Sequence, residues 1–263
     1  MRISAVVICA RQHFVFLPRL LNNLEKMTVQ FDEIILVCSN FNVRQKFSSV
    51  SIINSHSELN IKKIFVGKGS AGKNRNIGWK FADGDLTCFL DADDTYSPFR
   101  NKFLLERYSL EPFDLLLHSY KIVDTQDHEF ISFEELRYEV FRNEDLYQNT
   151  FPQDKRDKSR ELELPLVDTN LRLPLNMSQF EFSHGHLTVS RKVRGLIKFH
   201  ELAALRNEDG VFARDALESG LRIQICSAIL SNYSQGTSAI VPNNLLTRTF
   251  NFTRKIMRIN SAS

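Results

Sequence analysis

The sequence lacks the features of membrane-spanning, disulfide-bonded and nucleic-acid-binding proteins. Its 263 residues contain no apolar run long enough to cross a bilayer, and its four cysteines form no CxxC pair. Each cysteine lies in an apolar, strand-like run, as is typical of small buried residues in a reducing compartment. The net charge is only +3, and no basic patch is interleaved with aromatic residues. We therefore expect a cytoplasmic protein with no nucleic-acid partner.

Predicted strands and helices alternate through the first 124 residues. Strands are predicted at residues 3–9, 33–38, 61–66, 86–91 and 115–123, and helices at residues 16–27, 70–82 and 98–110. Such alternation is typical of βα units, in which helices cover both faces of a parallel sheet. The fold class that we predict is α/β, with a central, mostly parallel sheet flanked by helices and interrupted by a helical and loop insertion.

The alternation stops at residue 124 and resumes near residue 183. Ser132 and Glu135 form a capping box, which predicts a helix beginning at Ser132 within the insertion. The insertion is expected either to bind a ligand, to mediate dimerisation or to pack locally. Further strands are predicted at residues 186–189, 222–225 and 228–233, with a helix from Asn207 to a Gly220 stop. We predict one domain with segments 1–124, 125–182, 183–240 and 241–263.

The last segment is basic. Between residues 243 and 263 it has Arg248, Arg254, Lys255 and Arg258, no acid, and several apolar residues. It is expected either to contact an anionic membrane surface peripherally or to pack back on the domain as a terminal helix.

The predicted strand at residues 86–91 ends in three carboxylates, Asp91, Asp93 and Asp94. Three such groups at the end of a buried strand repel one another, and a bound cation removes most of that cost. Carboxylate oxygens suit Mg²⁺ or Mn²⁺ and leave coordination sites for phosphate oxygens. Although aspartate also ends strands because it turns well, the pattern of three predicts a metal and phosphate site.

Polar residues also follow the other parallel strands. Ligands of open α/β sheets bind outside the carboxyl ends of the strands. The residues predicted there are Ala10, Arg11, Ser39 and Asn40, beside the acids that follow residue 90. We expect a nucleotide at this edge.

Residues 67–74 carry two overlapping glycine motifs with other interpretations. Residues 67–72 match GxGxxG, but a dinucleotide-binding fold places that motif after its first strand, whereas here it follows the third. The same segment approaches a P-loop, yet Asn74 stands where the magnesium-binding hydroxyl belongs. A nucleotide triphosphatase or kinase is therefore kept as the alternative function.

Several short motifs occur in an order that resembles glycosyltransferase family 2, whose members have a GT-A fold. They are Arg75-Asn76-Ile77-Gly78, Ala82-Asp83-Gly84-Asp85, Phe89-Leu90-Asp91-Ala92-Asp93-Asp94, residues 185–191, Glu208-Asp209 and residues 233–238. The resemblance covers residues 3–124 and 183–240. It implies an inverting, metal-dependent glycosyltransferase, involved in polysaccharide biosynthesis, that moves a sugar from a nucleoside-diphosphate sugar to a hydroxyl of a glycan or similar acceptor.

The resemblance also implies a role for individual residues. Asp93 is expected to bind the Mn²⁺ or Mg²⁺ ion, and Asp91 to contact the ribose or diphosphate of the donor. Asp94 is expected to orient these bound groups without contacting them directly. The residues expected to pair with phosphate or to hold the aspartates are Lys73, Arg75 and Asn76.

Asp209 is the general base that the resemblance implies. Transfer with inversion needs a carboxylate opposite the leaving diphosphate, to take the proton of the acceptor hydroxyl. A place in the first turn of the predicted helix would keep Asp209 ionised, although first-turn acids are also common without any function. Glu208 and His186 are candidate acceptor contacts. His184 and His186 could each contact the acceptor or be a third metal ligand, but a structural role is the interpretation that we favour for both.

Two departures from the family pattern concern the donor. Many members end the second strand with aspartates that read uridine, whereas this chain has Ser39-Asn40, whose amide can pair with a pyrimidine edge. Ala10-Arg11-Gln12-His13 replaces the usual Thr/Pro-x-Tyr-Asn. A UDP-sugar is the donor that we favour, with base and sugar left open. A subunit that binds a nucleotide sugar without turning it over is the further alternative.

Overall fold

A computed structural model describes residues 1–123, 130–142, 184–201, 212 and 215–234. Its strands are Ile3–Ala10 (β1), Glu33–Ser39 (β2), Ile61–Val66 (β3), Leu86–Asp91 (β4), Thr95–Tyr96 (β5), Leu115–Val123 (β6), Val140–Arg142 (β7), Leu187–Ser190 (β8) and Ile223–Ser234 (β9). Its α-helices are Leu17–Glu25 (α1), Val43–Asn54 (α2), Ala71–Phe81 (α3) and Arg100–Leu110 (α4). Short 3-10 helices lie at Arg11–Phe16, His184–His186 and Arg191–Val193.

The strands form one sheet in the order β3-β2-β1-β4-β8-β6-β9-β5, and β7 pairs with β9. Strands β1 to β4 are all parallel, and we call them, with α1–α3, the parallel region. Strands β5–β9 form the mixed region, in which β8 runs antiparallel to both β4 and β6. Strand β9 is parallel to β6 and antiparallel to β5 and β7. The predicted α/β class is confirmed.

Alternate side chains of the buried strands fill a core on each face of the sheet, because successive strand residues point to opposite faces. In β1, Ala5 and Val7 face the core that contains the apolar residues of α1, whereas Val6 faces the core that contains Trp79 of α3. Pro18 in the first turn of α1 suits that position, because its missing N–H would have no partner there. Helices therefore cover both faces, as the alternation predicts.

Some predicted elements differ from the structure. The capping box at Ser132 starts no helix; residues 133–135 form a turn, and Ser132 Oγ instead donates to Glu135 Oε2 at 2.9 Å. The two strands predicted at 222–225 and 228–233 are one strand, β9, whose register against β6 shifts opposite Ser119. A register shift of this kind marks a β-bulge or a similar irregularity, which interrupts the regular pairing of β9 with β6.

Helix α2 has no counterpart among the predicted elements. Only Ser49 and Ile53 of its residues are buried, so its apolar periodicity is weak. Its beginning is marked by a capping box, in which the Asn42 side chain accepts from the backbone N–H of Gln45 at 2.8 Å. At the other end of the chain Gly220 takes the left-handed conformation predicted for a helix stop, with φ of 65°.

The four cysteines are free and buried, as predicted. Burial raises the pKa of Cys38 and of Cys226 to about 12, which keeps both thiols protonated and unreactive. None of the helices within the described residues combines the length and apolar character that a membrane crossing requires. Most of the predicted insertion and all of segment 241–263 lie outside the described residues, so their boundaries and roles stay predictions.

Candidate active site

The carboxyl ends of the parallel strands meet at one edge of the sheet. Ala10 of β1 pairs with Ser39 of β2, Ser39 pairs with Val66 of β3, and Ile8 of β1 pairs with Asp91 of β4. This register brings the polar residues after β1 and β2 and the acids after β4 to the same edge, as predicted.

The residues after β1 and β2 leave polar groups open to solvent at this edge. Arg11 and Asn40 are exposed, and Ala10 is half-buried. Asn40 has a positive φ of 59°, a conformation that asparagine tolerates better than most residues. Ser39 is buried, and its hydroxyl donates to the backbone carbonyl of Gly67 at 3.2 Å. Ser39 therefore joins the ends of β2 and β3.

Asp91 is held by an arginine from α3. Arg75 Nη2 donates to Asp91 Oδ1 at 2.9 Å, and the side chain of Arg75 is only 6% exposed. The backbone N–H of Asp91 donates to the hydroxyl of the fully buried Tyr96 at 2.8 Å. The paired arginine fixes the direction of the Asp91 carboxylate, because a charge-assisted bond is stronger than a neutral one.

Asp93 lies in the turn after β4 and faces the first segment of the chain. His13 Nδ1 is 3.6 Å from Asp93 Oδ1, and the two side chains are 23% and 15% exposed. Arg19 of α1 donates to the backbone carbonyl of Asp93. The Asp93 carboxylate is thus partly open to solvent, whereas its backbone is held by α1.

Asp94 is buried at the back of the site. Its Oδ1 accepts from the backbone N–H of Ser234, at the end of β9, at 3.1 Å. Its Oδ2 is buried and accepts no hydrogen bond within the described residues. Burial, and then repulsion from Asp91 and Asp93, hold the pKa of Asp94 well above its ordinary value. Asp94 therefore links the acid turn to the mixed region.

Gly185 brings the mixed region against these acids. A Cβ added to Gly185 would lie 2.9 Å from Asp91 Oδ2 and 3.3 Å from Asp94 Oδ2. Only a residue without a side chain allows this approach of backbone to carboxylates. Both carboxylates consequently turn one oxygen towards the same small volume beside Gly185.

Two of the predicted pocket residues on helix α3, Lys73 and Asn76, have different surroundings. The hydroxyl of Ser70 caps the helix by accepting from the N–H of Lys73 at 3.2 Å, and the Lys73 side chain is exposed. Asn76 is buried, and its amide bonds to the backbone N–H and carbonyl of Phe199 and to Glu201 Oε1. Asn76 therefore holds residues 199–201 on α3 rather than an aspartate.

His186 is 1% exposed, which favours the structural role over a contact with the acceptor. Its Nδ1 shares a hydrogen bond of 2.6 Å with Ser231 Oγ, and its ring stacks on Tyr120 at 4.3 Å. A side chain packed against Tyr120 of β6 and Ser231 of β9 fits the structural role. Asp209 and Glu208 lie outside the described residues, as does the side chain of His184.

A profile of the family described as Glycosyl transferase family 2 matches residues 5–165, more than half of the chain. The chain belongs to glycosyl transferase family 2. The predicted family is therefore confirmed. Among curated proteins, none matches the sequence.

Solved structures of glycosyltransferases share the fold of this glycosyl transferase family 2 chain. The S. aureus TarS fragment 1–349 in complex with UDP-GlcNAc is 19% identical, with a TM-score of 0.60 over 89% of this chain and 59% of that one. The mannosyltransferase PcManGT from Pyrobaculum calidifontis, in complex with GDP-Man and Mn²⁺, is 12% identical, with a TM-score of 0.56 over 93% of this chain and 58% of that one. This chain therefore spans about three fifths of the length of the structures it matches. They confirm the GT-A fold.

The acids of this glycosyl transferase family 2 site suit a divalent cation that has few protein ligands. Within the described residues no group of three or more His, Cys, Asp or Glu side chains is arranged around one point. Asp91 is paired with Arg75 and Asp94 is buried, whereas the Asp93 side chain is 15% exposed, so an ion from solvent can reach it. Such an ion needs further oxygen ligands, which a diphosphate supplies.

Three residues at the site are missing from the sequence-based predictions: His13, Arg19 and Gly185. His13 and Arg19 contact Asp93 from the segment after β1, and Gly185 contacts the acids from nearly a hundred residues downstream. The sequence has a weak signal for Gly185, which begins a segment that resembles the family pattern, and for His13, which lies in a segment that departs from it. No local pattern distinguishes Arg19 from an ordinary helical arginine.

Proposed function

We propose that this chain transfers a sugar, with inversion, from a nucleoside-diphosphate sugar to a hydroxyl of a glycan or similar acceptor, with Mn²⁺ or Mg²⁺ as cofactor. The observation that carries the proposal is the convergence of Asp91, Asp93 and Asp94 with Arg75 at the carboxyl edge of β1, β2 and β4. Membership of glycosyl transferase family 2 supports it.

The proposed binding of the donor follows from the charge and the exposure of the side chains at the edge of the sheet. When bound at Asp93, the cation would stabilise the negative charge that grows on the departing diphosphate. The exposed Lys73 and Arg11 are the cations free to approach phosphate oxygens, while Arg75 keeps Asp91 oriented towards the ribose or diphosphate. Asn40 is exposed and can offer its amide to a base.

The favoured donor is a UDP-sugar. Support comes from the TarS structures, which are described as complexes with UDP-GlcNAc and with UDP. PcManGT is described with GDP-Man, so a guanine donor is the alternative that a binding panel has to include.

We assign the general base to Asp209, and the flanks of its segment support this role. Phe212, three residues downstream, stacks on Phe199 at 4.3 Å, and the Arg75 guanidinium lies 5.9 Å from the Phe199 ring. Upstream, Glu201 is held on α3 because its carbonyl accepts from Ser70 Oγ at 2.9 Å. Both ends of the segment are thus anchored on the helix that carries Arg75.

Asp209 would act on the acceptor side of the sugar. As the bond from the sugar C1 to the diphosphate breaks, its carboxylate would take the proton of the attacking hydroxyl, and the positions of donor and acceptor on opposite faces would invert C1. Glu208 is its neighbour in the sequence, and we retain it as a candidate acceptor contact.

Two other functions lead to different expectations. A nucleotide triphosphatase or kinase should bind triphosphates better than diphosphates, whereas the family match favours diphosphate sugars. A subunit that only binds a nucleotide sugar should show no turnover at all, with or without acceptors.

A cytoplasmic location is proposed from the four buried free thiols, and membrane contact through segment 241–263 stays a prediction.

The test is calorimetry with UDP, GDP and the matching triphosphates in Mn²⁺, followed by slow hydrolysis of the preferred donor and an acceptor screen. We expect diphosphate binding, and hydrolysis that falls by about 100-fold or more in Asp93→Asn. The control is Asp83→Asn, because Asp83 is exposed and lies at the opposite end of β4. Equal hydrolysis by both variants would exclude Asp93, and tighter triphosphate binding would favour the kinase alternative.

A further inference from the structure

The ring of His13 lies beside the acid that we assign to the cation. His13 belongs to the 3-10 helix Arg11–Phe16 that directly follows β1. Its Nδ1 faces Asp93 Oδ1 at 3.6 Å, and the His13 ring makes no hydrogen bond within the described residues. The Phe16 ring packs edge-on against His13 at 6.4 Å and also lies under the Arg19 guanidinium. The imidazole is thus oriented by its own turn.

The separation of 3.6 Å is too long for a hydrogen bond between the ring nitrogen and the carboxylate. A neutral imidazole nitrogen and a carboxylate oxygen, both with lone pairs, face each other favourably only when a proton or a cation lies between them. Both side chains are partly exposed, at 23% and 15%, so an ion from solvent can reach them.

Each neighbouring acid has one carboxylate oxygen held by a protein donor. Asp91 Oδ1 accepts from Arg75, and Asp94 Oδ1 accepts from the N–H of Ser234. Their second oxygens turn towards Gly185, whereas the His13 imidazole lies 3.6 Å from the Asp93 carboxylate and is a candidate for the next protein ligand of an ion bound there.

We propose that His13 is a second protein ligand of the divalent cation, through Nδ1, beside Asp93. A site with one nitrogen and one oxygen ligand favours a transition-metal ion such as Mn²⁺ over Mg²⁺, which prefers oxygen ligands. The segment Ala10-Arg11-Gln12-His13, which replaces the usual Thr/Pro-x-Tyr-Asn after β1, would then determine the metal preference through His13. The inference rests on the proposed function in one respect, the cation at Asp93.

Pulsed electron paramagnetic resonance of Mn²⁺ bound to the full chain tests this ligand without measuring activity. The sample holds Mn²⁺ with UDP, in protein made once with ordinary and once with ¹⁵N-labelled histidine. We expect nitrogen modulation that changes isotope with the label and disappears in His13→Ala and His13→Gln. The control is Gln12→Ala, which alters an exposed residue of the same turn and should keep the modulation.

The equilibrium affinities for Mn²⁺ and Mg²⁺ provide a second test of His13 as a ligand. His13→Ala should weaken Mn²⁺ binding by about tenfold and Mg²⁺ binding by much less, because only Mn²⁺ gains from the nitrogen ligand. Nitrogen modulation that persists in His13→Ala, or that is absent from the wild type while Mn²⁺ binding still depends on Asp93, would overturn the role of His13 and leave the proposed function intact. Mn²⁺ binding that is unchanged in Asp93→Asn would instead contradict the cation site itself.

Discussion

The parallel and mixed regions supply the site in different ways. In the parallel region, β1, β2 and β4 run in the same direction, so the polar residues that follow them collect at one edge of the sheet. In the mixed region, β8 enters antiparallel between β4 and β6, and it brings Thr188 within 3.4 Å of Cys88, a hundred residues away. Parallel pairing thus places the acid edge, and antiparallel pairing places the residues that face it.

The two regions touch at the acids. Gly185 lies against Asp91 and Asp94, and Ser234 donates to Asp94, whereas Arg19 and His13 approach Asp93 from the parallel region. Under the proposed function, the parallel region binds the donor, and the later segments supply the general base and the acceptor contacts. The following variants separate the two contributions.

The largest effect is expected for Asp209→Asn. Loss of the general base should lower sugar transfer by about 10³-fold or more, while UDP affinity changes by less than about twofold, because the donor site belongs to the parallel region. Transfer rates and calorimetry on one preparation measure both, with Glu218→Gln, at an exposed acid downstream of Asp209, as the control. Unchanged transfer would remove Asp209 from its role, and equal loss of binding would break the division between regions.

Gly185→Ala tests the contact between the regions. The new Cβ would lie 2.9 Å from Asp91 Oδ2, so the acid or the backbone has to shift. We expect UDP affinity in Mn²⁺ to fall by about 30-fold, the size of effect seen when the support of a metal site is disturbed. Gly67→Ala provides the stability control, because a Cβ there meets nothing within 4 Å. An unchanged affinity would mean that Gly185 does not constrain the acids.

Asp114→Asn tests how the mixed region is held together. The Asp114 carboxylate is 1% exposed and accepts from the backbone N–H of Arg222 at 2.9 Å and from Lys192 Nζ at 3.3 Å. Burial alone would raise the pKa of Asp114, but these donors outweigh it and hold the pKa below its ordinary value. At neutral pH the variant should lose about 1.5 kcal/mol of unfolding free energy.

The pH dependence sharpens that test. A carboxyl group whose pKa is lowered by folding adds stability above its unfolded pKa of about 4, and that stability is lost as the pH falls further. The unfolding free energy should therefore drop more between pH 5 and pH 3 in the wild type than in Asp114→Asn, as measured by urea denaturation. Parallel curves for the two proteins would contradict the linkage.

The smallest effect is expected for Gly78→Ala, which tests packing within the parallel region. A Cβ at Gly78 would lie 2.5 Å from Val6 Cγ1 and 3.0 Å from Val37 Cγ2. The strain of overpacking should exceed the gain in helix propensity and leave a net loss of about 1 kcal/mol in urea denaturation. Lys80→Ala, on the exposed side of α3, is the control. A stabilised Gly78→Ala would show that α3 can move away from the sheet.

Much of the parallel region could be predicted from the sequence. Strands β1, β2 and β4 stand out because they are buried on both faces and form continuous apolar runs, and α1 shows a clear apolar stripe. The acids after β4 were recognisable because their density at a strand end has few structural explanations. Helix α2 was missed, since it buries only Ser49 and Ile53.

The sequence by itself determined the α/β class, the edge at which the polar strand ends gather and the family to which the chain belongs, because those properties follow from local periodicity and ordered motifs. Only the tertiary structure decided which partner each polar group has. It paired Asn76 with Phe199, enclosed His186 between Tyr120 and Ser231, and set His13 beside Asp93. These contacts join residues far apart in the chain, and their partners depend on strand order and register, which no local pattern encodes.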